Sequence, residues 1–300
     1  MKKYKDLLPG EVLDLSNEIA VLSPTDTPLL TLLLSKGKVV PASDITVSWR
    51  EKELNSSRGV KAEGAEAGEA IKSVRKLKSN ICQIMEKVVS VSGTVNALNP
   101  NGVGDEFASE VADRLIELKR DLEYYCLNGV KNTESDERQM AGFVELVNEA
   151  HVINHNAALT EEVIIDALQK VWEAGAHGEL YAFMNATAKR AFNAIMKDVT
   201  TQTIEQGAQT FGVIVTKYET DFGTINVVLD RHMKNDEMLI VDLDKVELAE
   251  LRPTQYSDLA RTGDYKKGHI INESSIKLLN SKAGAVIKGI GAPGRTKATK

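Results

Sequence analysis

Three hundred residues, 42% hydrophobic but only 5% aromatic, suffice for one elaborate domain or two modest ones with cores resting on Leu, Ile, Val and Ala. A formal net charge of −6 argues against a protein whose main task is gripping nucleic acid over a basic surface. The apolar run Leu29 to Leu34 is far short of the roughly 20 residues a membrane span needs.

The first forty residues read as an arm. Leu7, Leu8, Val12, Leu13, Leu15, Ile19 and Leu22 are apolar, but Pro9, Gly10, Pro24 and Pro28 interrupt any long helix. Such a strap is expected to lie over another surface, because it cannot bury its apolar residues alone. Lys2, Lys3 and Lys5 are followed by Asp6, Pro9 and Glu11 where a signal peptide would place its apolar region, so synthesis and retention in a cytoplasm are expected. Ile45 to Arg50 alternates as a strand. Beyond it, Glu63, Glu66 and Glu69 recur every three residues in a Gly/Ala-rich stretch, and Lys72, Arg75, Lys76 and Lys78 follow in a strand-like run. A coreless loop of this length is uncommon inside a compact domain. Its split into an acidic tip and a basic return suggests charge pairing, across its own limbs or with a neighbouring subunit.

Val88 to Val95 reads as a strand and Asn99-Pro100-Asn101-Gly102 as a turn. Asp105 can then cap a long helix carrying Phe107, Val111, Leu115, Leu118, Leu122 and Tyr125 on one stripe. The opposite face carries Glu110, Asp113, Arg114, Glu117, Arg120 and Asp121, and Asn128-Gly129 marks the stop. One apolar stripe and one charged face predict a helix laid on a sheet. A second amphipathic helix starts at Thr160 and ends near Gly175, followed by a strand over 180–184 and a helix over 187–197. The last third reads as β. Val213-Ile214-Val215 and 225–229 flank the turn Asp221-Phe222-Gly223; 238–241 and 246–251 flank Asp244-Lys245; 276–279 and 285–290 flank Asn280-Ser281-Lys282. All three read as hairpins. Gly291 to Lys300 reads as a flexible basic tail.

Chemistry-bearing patterns are scarce. Cys82 and Cys126 form no CxxC pair and have no His at ligand spacing, so they read as buried thiols. His151 and His155 lie four apart without the acid of an HExxH helix, and His177, His232 and His269 are scattered. Gly102 and Gly104 precede a helix without the Lys-Ser/Thr of a phosphate cradle. The nearest thing to a catalytic cluster is Asp230-Arg231-His232 with Asp242 and Asp244, but Asp at strand ends commonly serves turn geometry alone. No catalytic, cofactor or metal residue is expected, and an assembly role gains weight.

The order of parts resembles the major capsid proteins of tailed bacteriophages, the α+β Hong Kong 97-type shell fold also found in encapsulins. The strings carrying the resemblance are Thr27-Pro28-Leu29-Leu30, Val91-Ser92-Gly93-Thr94, Glu117-Leu118-Lys119-Arg120-Asp121-Leu122-Glu123, Asp221-Phe222-Gly223-Thr224, Leu229-Asp230-Arg231-His232-Met233, Leu251-Arg252-Pro253 and Thr262-Gly263-Asp264. The resemblance implies an N-terminal arm at 1–40, an extended β-loop at 41–87, a peripheral domain at 88–157 with a spine helix at 104–128, an axial domain at 158–240, a β-rich return at 241–290 and the tail at 291–300. It also implies hexamers and pentamers of the chain itself in an icosahedral virion shell around double-stranded DNA held without sequence specificity. Scaffolding, portal and decoration proteins are candidate partners; no membrane or cofactor is implied. Glu63, Glu66, Glu69, Lys72, Arg75, Lys76 and Lys78 become candidate inter-subunit contacts. The alternatives are an encapsulin-type nanocompartment shell and an α/β enzyme with a site near Asp230 and His232.

Overall fold

The computed structural model describes residues 26–55, 57–67, 72–97, 105–176, 179–198 and 216–291. Most of the arm, the 99–102 turn, Gly104, Glu69, His177, the 213–215 strand and the tail beyond 291 lie outside the described residues.

Three sheets organise the described residues. β2 (Thr46–Lys52) and β3 (Arg75–Ile81) form a two-stranded antiparallel ribbon, with Glu51 opposite Lys76 and Trp49 opposite Lys78. A four-stranded sheet has the order β1-β10-β11-β4, from β1 (Val39–Pro41), β10 (Val246–Asp258), β11 (Tyr265–Leu278) and β4 (Gln83–Ser92). A six-stranded sheet has the order β5-β12-β9-β6-β8-β7, from β5 (Val152–Ala158), β12 (Gly284–Gly291), β9 (Glu237–Asp242), β6 (Leu180–Met184), β8 (Gly223–Leu229) and β7 (Thr216–Thr220).

The long helix forms as its periodicity predicts. α3 (Glu106–Asn128; α1 and α2 are Pro28–Ser35 and Gly93–Ala97) runs for 23 residues, and the Asp105 side chain accepts the amide of Ala108 at 3.1 Å. Its apolar stripe packs over β4 and β11. Its charged face is bound laterally: Arg114 pairs with Glu110 and Glu117, and Lys87 from β4 reaches Asp121 at 2.6 Å. Gly129 ends the helix with φ −54°, so it is not needed for a left-handed turn. A Cβ there would sit 2.5 Å from the Met140 carbonyl, and close chain crossing is the reason for glycine.

The strand β6 reads as an unbroken apolar run because both of its faces are covered. Tyr181 and Phe183 point toward the core shared with α1 and α3. Leu180, Ala182 and Met184 point toward α5 (Glu161–Glu173) and α6 (Ala186–Asp198). The first core also takes in Leu248, Ile270, Ile276 and Leu278 of the four-stranded sheet, so the two large sheets share one apolar interior.

Three expectations need correction. The expected hairpin at Asp244-Lys245 is a crossing between sheets: β9 ends in the six-stranded sheet and β10 begins in the four-stranded one, joined by the 3-10 turn Leu243–Lys245. The expected hairpin at Asn280-Ser281-Lys282 is the return crossing, from β11 to β12. The two crossings run side by side, tied by Asp242 N–H to the Ala283 carbonyl at 3.0 Å and Leu279 N–H to the Lys245 carbonyl at 2.8 Å. The true hairpin partner of β10 is β11, paired from Val246↔Leu278 to Asp258↔Gly268. A short polar turn between apolar runs looks alike in both cases; the pairing decides. Third, the stretch from Pro28 to Pro41 is no free strap. α1 buries Leu29, Leu30 and Leu33 in this chain's own core, and β1 pairs with β10. The Asp221-Phe222 turn does connect paired strands, β7 and β8.

Candidate assembly surface

The ribbon β2/β3 is fastened at its root and bare at its tip. At the root, Asn80 is fully buried; its side-chain amide donates to the carbonyls of Ala141 (2.9 Å) and Ile276 (2.7 Å), and its oxygen accepts from Ala141 N–H (2.9 Å). Lys131 donates to the Ser79 carbonyl at 2.9 Å. Glu273 accepts from both Arg138 and Arg252, and Arg138 also donates to the Cys82 carbonyl at 2.8 Å. On the other limb Glu51 accepts from the amide of Ser281 at 2.6 Å, and Lys282 pairs with Glu53, which holds the Glu53 carboxyl below its ordinary range. Burial pushes the Cys82 thiol up to about 11, so it stays a neutral apolar filler at this root. Replacing Asn80 with Ala strands three buried backbone groups and is expected to cost roughly 1–3 kcal/mol, read as a lower urea midpoint.

Beyond the root the chain has no core. Every described residue from 52 to 77 is exposed, and the turn at Ala62–Ala65 relies on Gly64 at φ +77°. Four apolar side chains stand in the open: Leu54 (80% exposed), Val60 (89%), Val74 (66%) and Leu77 (69%). Scattered exposed apolar residues are ordinary, but four on one coreless ribbon are a surface awaiting cover. Among the described residues, none of Glu63, Glu66, Lys72, Arg75, Lys76 and Lys78 forms an ion pair, although Lys76 lies opposite Glu51 in the ladder. Among the described residues, the acidic tip and basic return are thus not joined by an ion pair.

The alternative site near Asp230 and His232 does not assemble with Asp242 and Asp244. Asp230 follows β8 beside Met184, whereas Asp242 pairs with Leu180 at the other end of β6. Each Asp accepts a backbone amide two residues on, Asp230 from His232 and Asp242 from Asp244, as turn geometry predicts. Among the described residues no three His, Cys, Asp or Glu gather as a metal centre. His151 Nδ1–H donates to the Gly284 carbonyl (3.1 Å), and half-buried His155 contacts the Ala158 carbonyl. Sequence reasoning missed one polar site: Glu123 of α3, fully buried against Asp230. A signal existed, since Leu122, Tyr125, Cys126 and Leu127 surround Glu123 on most sides of the helix, the mark of a helix end buried all round.

Comparison with known proteins accords with this architecture. The chain is 35% identical over 127 residues to the major capsid protein of Escherichia phage Phieco32, a match spanning 42% of this chain and 35% of that relative. Its fold superposes on the cyanophage A-1(L) capsid with a TM-score of 0.72 at 14% identity, covering 96% of this chain and 98% of the other. The holo-SrpI encapsulin complex from Synechococcus elongatus follows at 0.66 and 12% identity, covering 94% and 96%. The architecture is that of the Hong Kong 97-type capsids. The family model described as SU10 major capsid protein matches residues 3–291, and the chain belongs to that family of phage major capsid proteins.

Proposed function

We propose that this chain self-assembles through hexamers and pentamers into the icosahedral head of a tailed phage, closed around double-stranded DNA that it holds without sequence specificity. The observation that carries the reading is the β2/β3 ribbon: a firmly rooted two-stranded projection that leaves Leu54, Val60, Val74 and Leu77 exposed and, among the described residues, Glu63, Glu66, Lys72, Arg75, Lys76 and Lys78 without an ion pair. A neighbouring copy offers both. Covering Leu54, Val60, Val74 and Leu77 removes apolar surface from water, while Lys72, Arg75, Lys76 and Lys78 on one side and Glu63, Glu66 and Glu69 on the other set register. In this reading the four-stranded sheet with α3 is the peripheral domain, and the six-stranded sheet with α5 and α6 is the axial domain. The residues before α1 form the arm. Scaffolding, portal and decoration proteins would complete the head, and synthesis would take place in the host cytoplasm.

The encapsulin likeness favours a second reading, a shell around protein cargo; the phage capsid family match weighs against it. Electron microscopy of the expressed chain is expected to show closed shells, and shells purified from infected cells should contain DNA resistant to nuclease. Shells with protein cargo and no DNA would favour the second reading. A chain that remains a small soluble particle at all concentrations contradicts both.

A further inference from the structure

The Glu123 and Asp230 side chains are both at 0% exposure, one in the last turns of α3 and the other just past β8. The Glu123 carboxyl receives two backbone amides from the first turn of α1, Leu29 N–H on Oε1 at 2.7 Å and Leu30 N–H on Oε2 at 2.8 Å. Pro28 at the helix start donates nothing, so these two are the amides there that most need an acceptor. Asp230 takes the His232 amide on Oδ1 at 2.8 Å, leaving its buried Oδ2 without a hydrogen-bond donor, and its carboxyl lies within hydrogen-bond reach of the Glu123 carboxyl. Two carboxyls in hydrogen-bond contact in a sealed apolar site can persist only if one keeps a proton, because two adjacent buried anions repel and neither is solvated.

Among the described residues, Arg231, Asp26, His232, Cys126 and Arg120 are the charged and titratable groups around the pair. Arg231 is turned outward and pairs with Asp26 at 3.3 Å, and both are well exposed. His232 contributes its backbone amide, its imidazole favours the ionised form of Asp230, and its carbonyl takes the Asn128 side chain at 2.7 Å. From α3 itself, Cys126 adds a thiol that burial and Glu123 keep protonated. Arg120 lies one turn earlier on α3. Burial raises the pKa of both carboxyls above its ordinary value, and Asp230 adds to the effect on Glu123.

We propose that the Glu123–Asp230 carboxyl pair is a proton-held latch that clamps the first turn of α1 onto the body of the subunit. Closed, the pair holds one proton between two carboxyls. Opened to water, both carboxyls ionise at ordinary values of about 4. Lifting α1 therefore releases one proton, and each pH unit above that range favours the open form about tenfold until the closed pair also ionises. Acid conditions hold α1 down; raising the pH frees it.

The test is hydrogen–deuterium exchange on the full-length unassembled chain between about pH 5.5 and 8, with intrinsic rates corrected. Protection of the Leu29 to Leu33 amides is expected to fall about tenfold per pH unit, while β6 amides in the core hold theirs. In Asp230→Asn the new amide donates to an ionised Glu123, the proton is no longer needed, and the α1 slope is expected to be flat. Should that variant not fold, Glu123→Gln serves, its amide donating to Asp230, again with a flat slope expected. A flat wild-type profile, or a variant as steep as wild type, overturns the latch. The readout is on the unassembled chain, so a failure of the shell reading would leave it intact.

Discussion

Reversing Lys72, Arg75 and Lys76 to Glu is expected to abolish closed particles while leaving the subunit folded. All three side chains are exposed and make no ion pair within the described chain, so their loss removes only the weak, solvent-screened attraction of Lys76 for Glu53. Surface substitutions of this kind move stability by roughly half a kcal/mol or less. At a lattice contact the same change acts very differently. If the basic return strand meets acidic groups of a neighbour, reversal turns attraction into like-charge repulsion, which costs several kcal/mol per contact and recurs at every contact of the shell. Sedimentation and electron microscopy of the triple variant should show subunits or small oligomers, with the urea midpoint unchanged. Normal particles would sink the assignment of these residues to inter-subunit contacts and leave the apolar tip as the alternative.

The largest loss of stability is expected from Phe183→Ala. Phe183 is fully buried at the middle strand of the six-stranded sheet, lies 6.5 Å from the Tyr181 ring, and faces the core that joins both sheets to α1 and α3. Removing a buried aromatic ring costs the transfer free energy plus the cavity left behind, about 3–5 kcal/mol. The site is held on both sides by β8 and β9, so the backbone cannot collapse into the space, which favours the upper end. Denaturation of the unassembled chain should show a lower midpoint with an unchanged slope. A shift equivalent to less than about 1 kcal/mol would mean that the two sheets do not share a cooperative core.

Helices were the most legible elements. The stripe Phe107, Val111, Leu115, Leu118, Leu122 and Tyr125 and the cap Asp105 carry the placement of α3 to within a residue or two, because a 3.6-residue period is a local property. The ribbon was legible for the opposite reason. A stretch with charge, glycine and no apolar period cannot make a core, and residues 52 to 77 are indeed exposed wherever they are described. The crossings were not legible. Met238 to Val241 is uniformly apolar and Val246 to Leu251 is mixed, a hint that they serve different sheets, yet the turn between them suits a hairpin equally well.

The division follows the range of the forces. Periodicity, capping and turn chemistry act over a few residues, so the α+β content, the long helix, the coreless loop and the absence of a recognisable catalytic motif are written in the chain. Which strands pair, and which charges are sealed from water, depends on groups distant in sequence. Glu123 and Asp230, 107 positions apart, meet only because α1, α3 and β8 converge. Likewise α1 is drawn out of the expected arm because Leu29, Leu30 and Leu33 find a place in the shared core that no local pattern reveals.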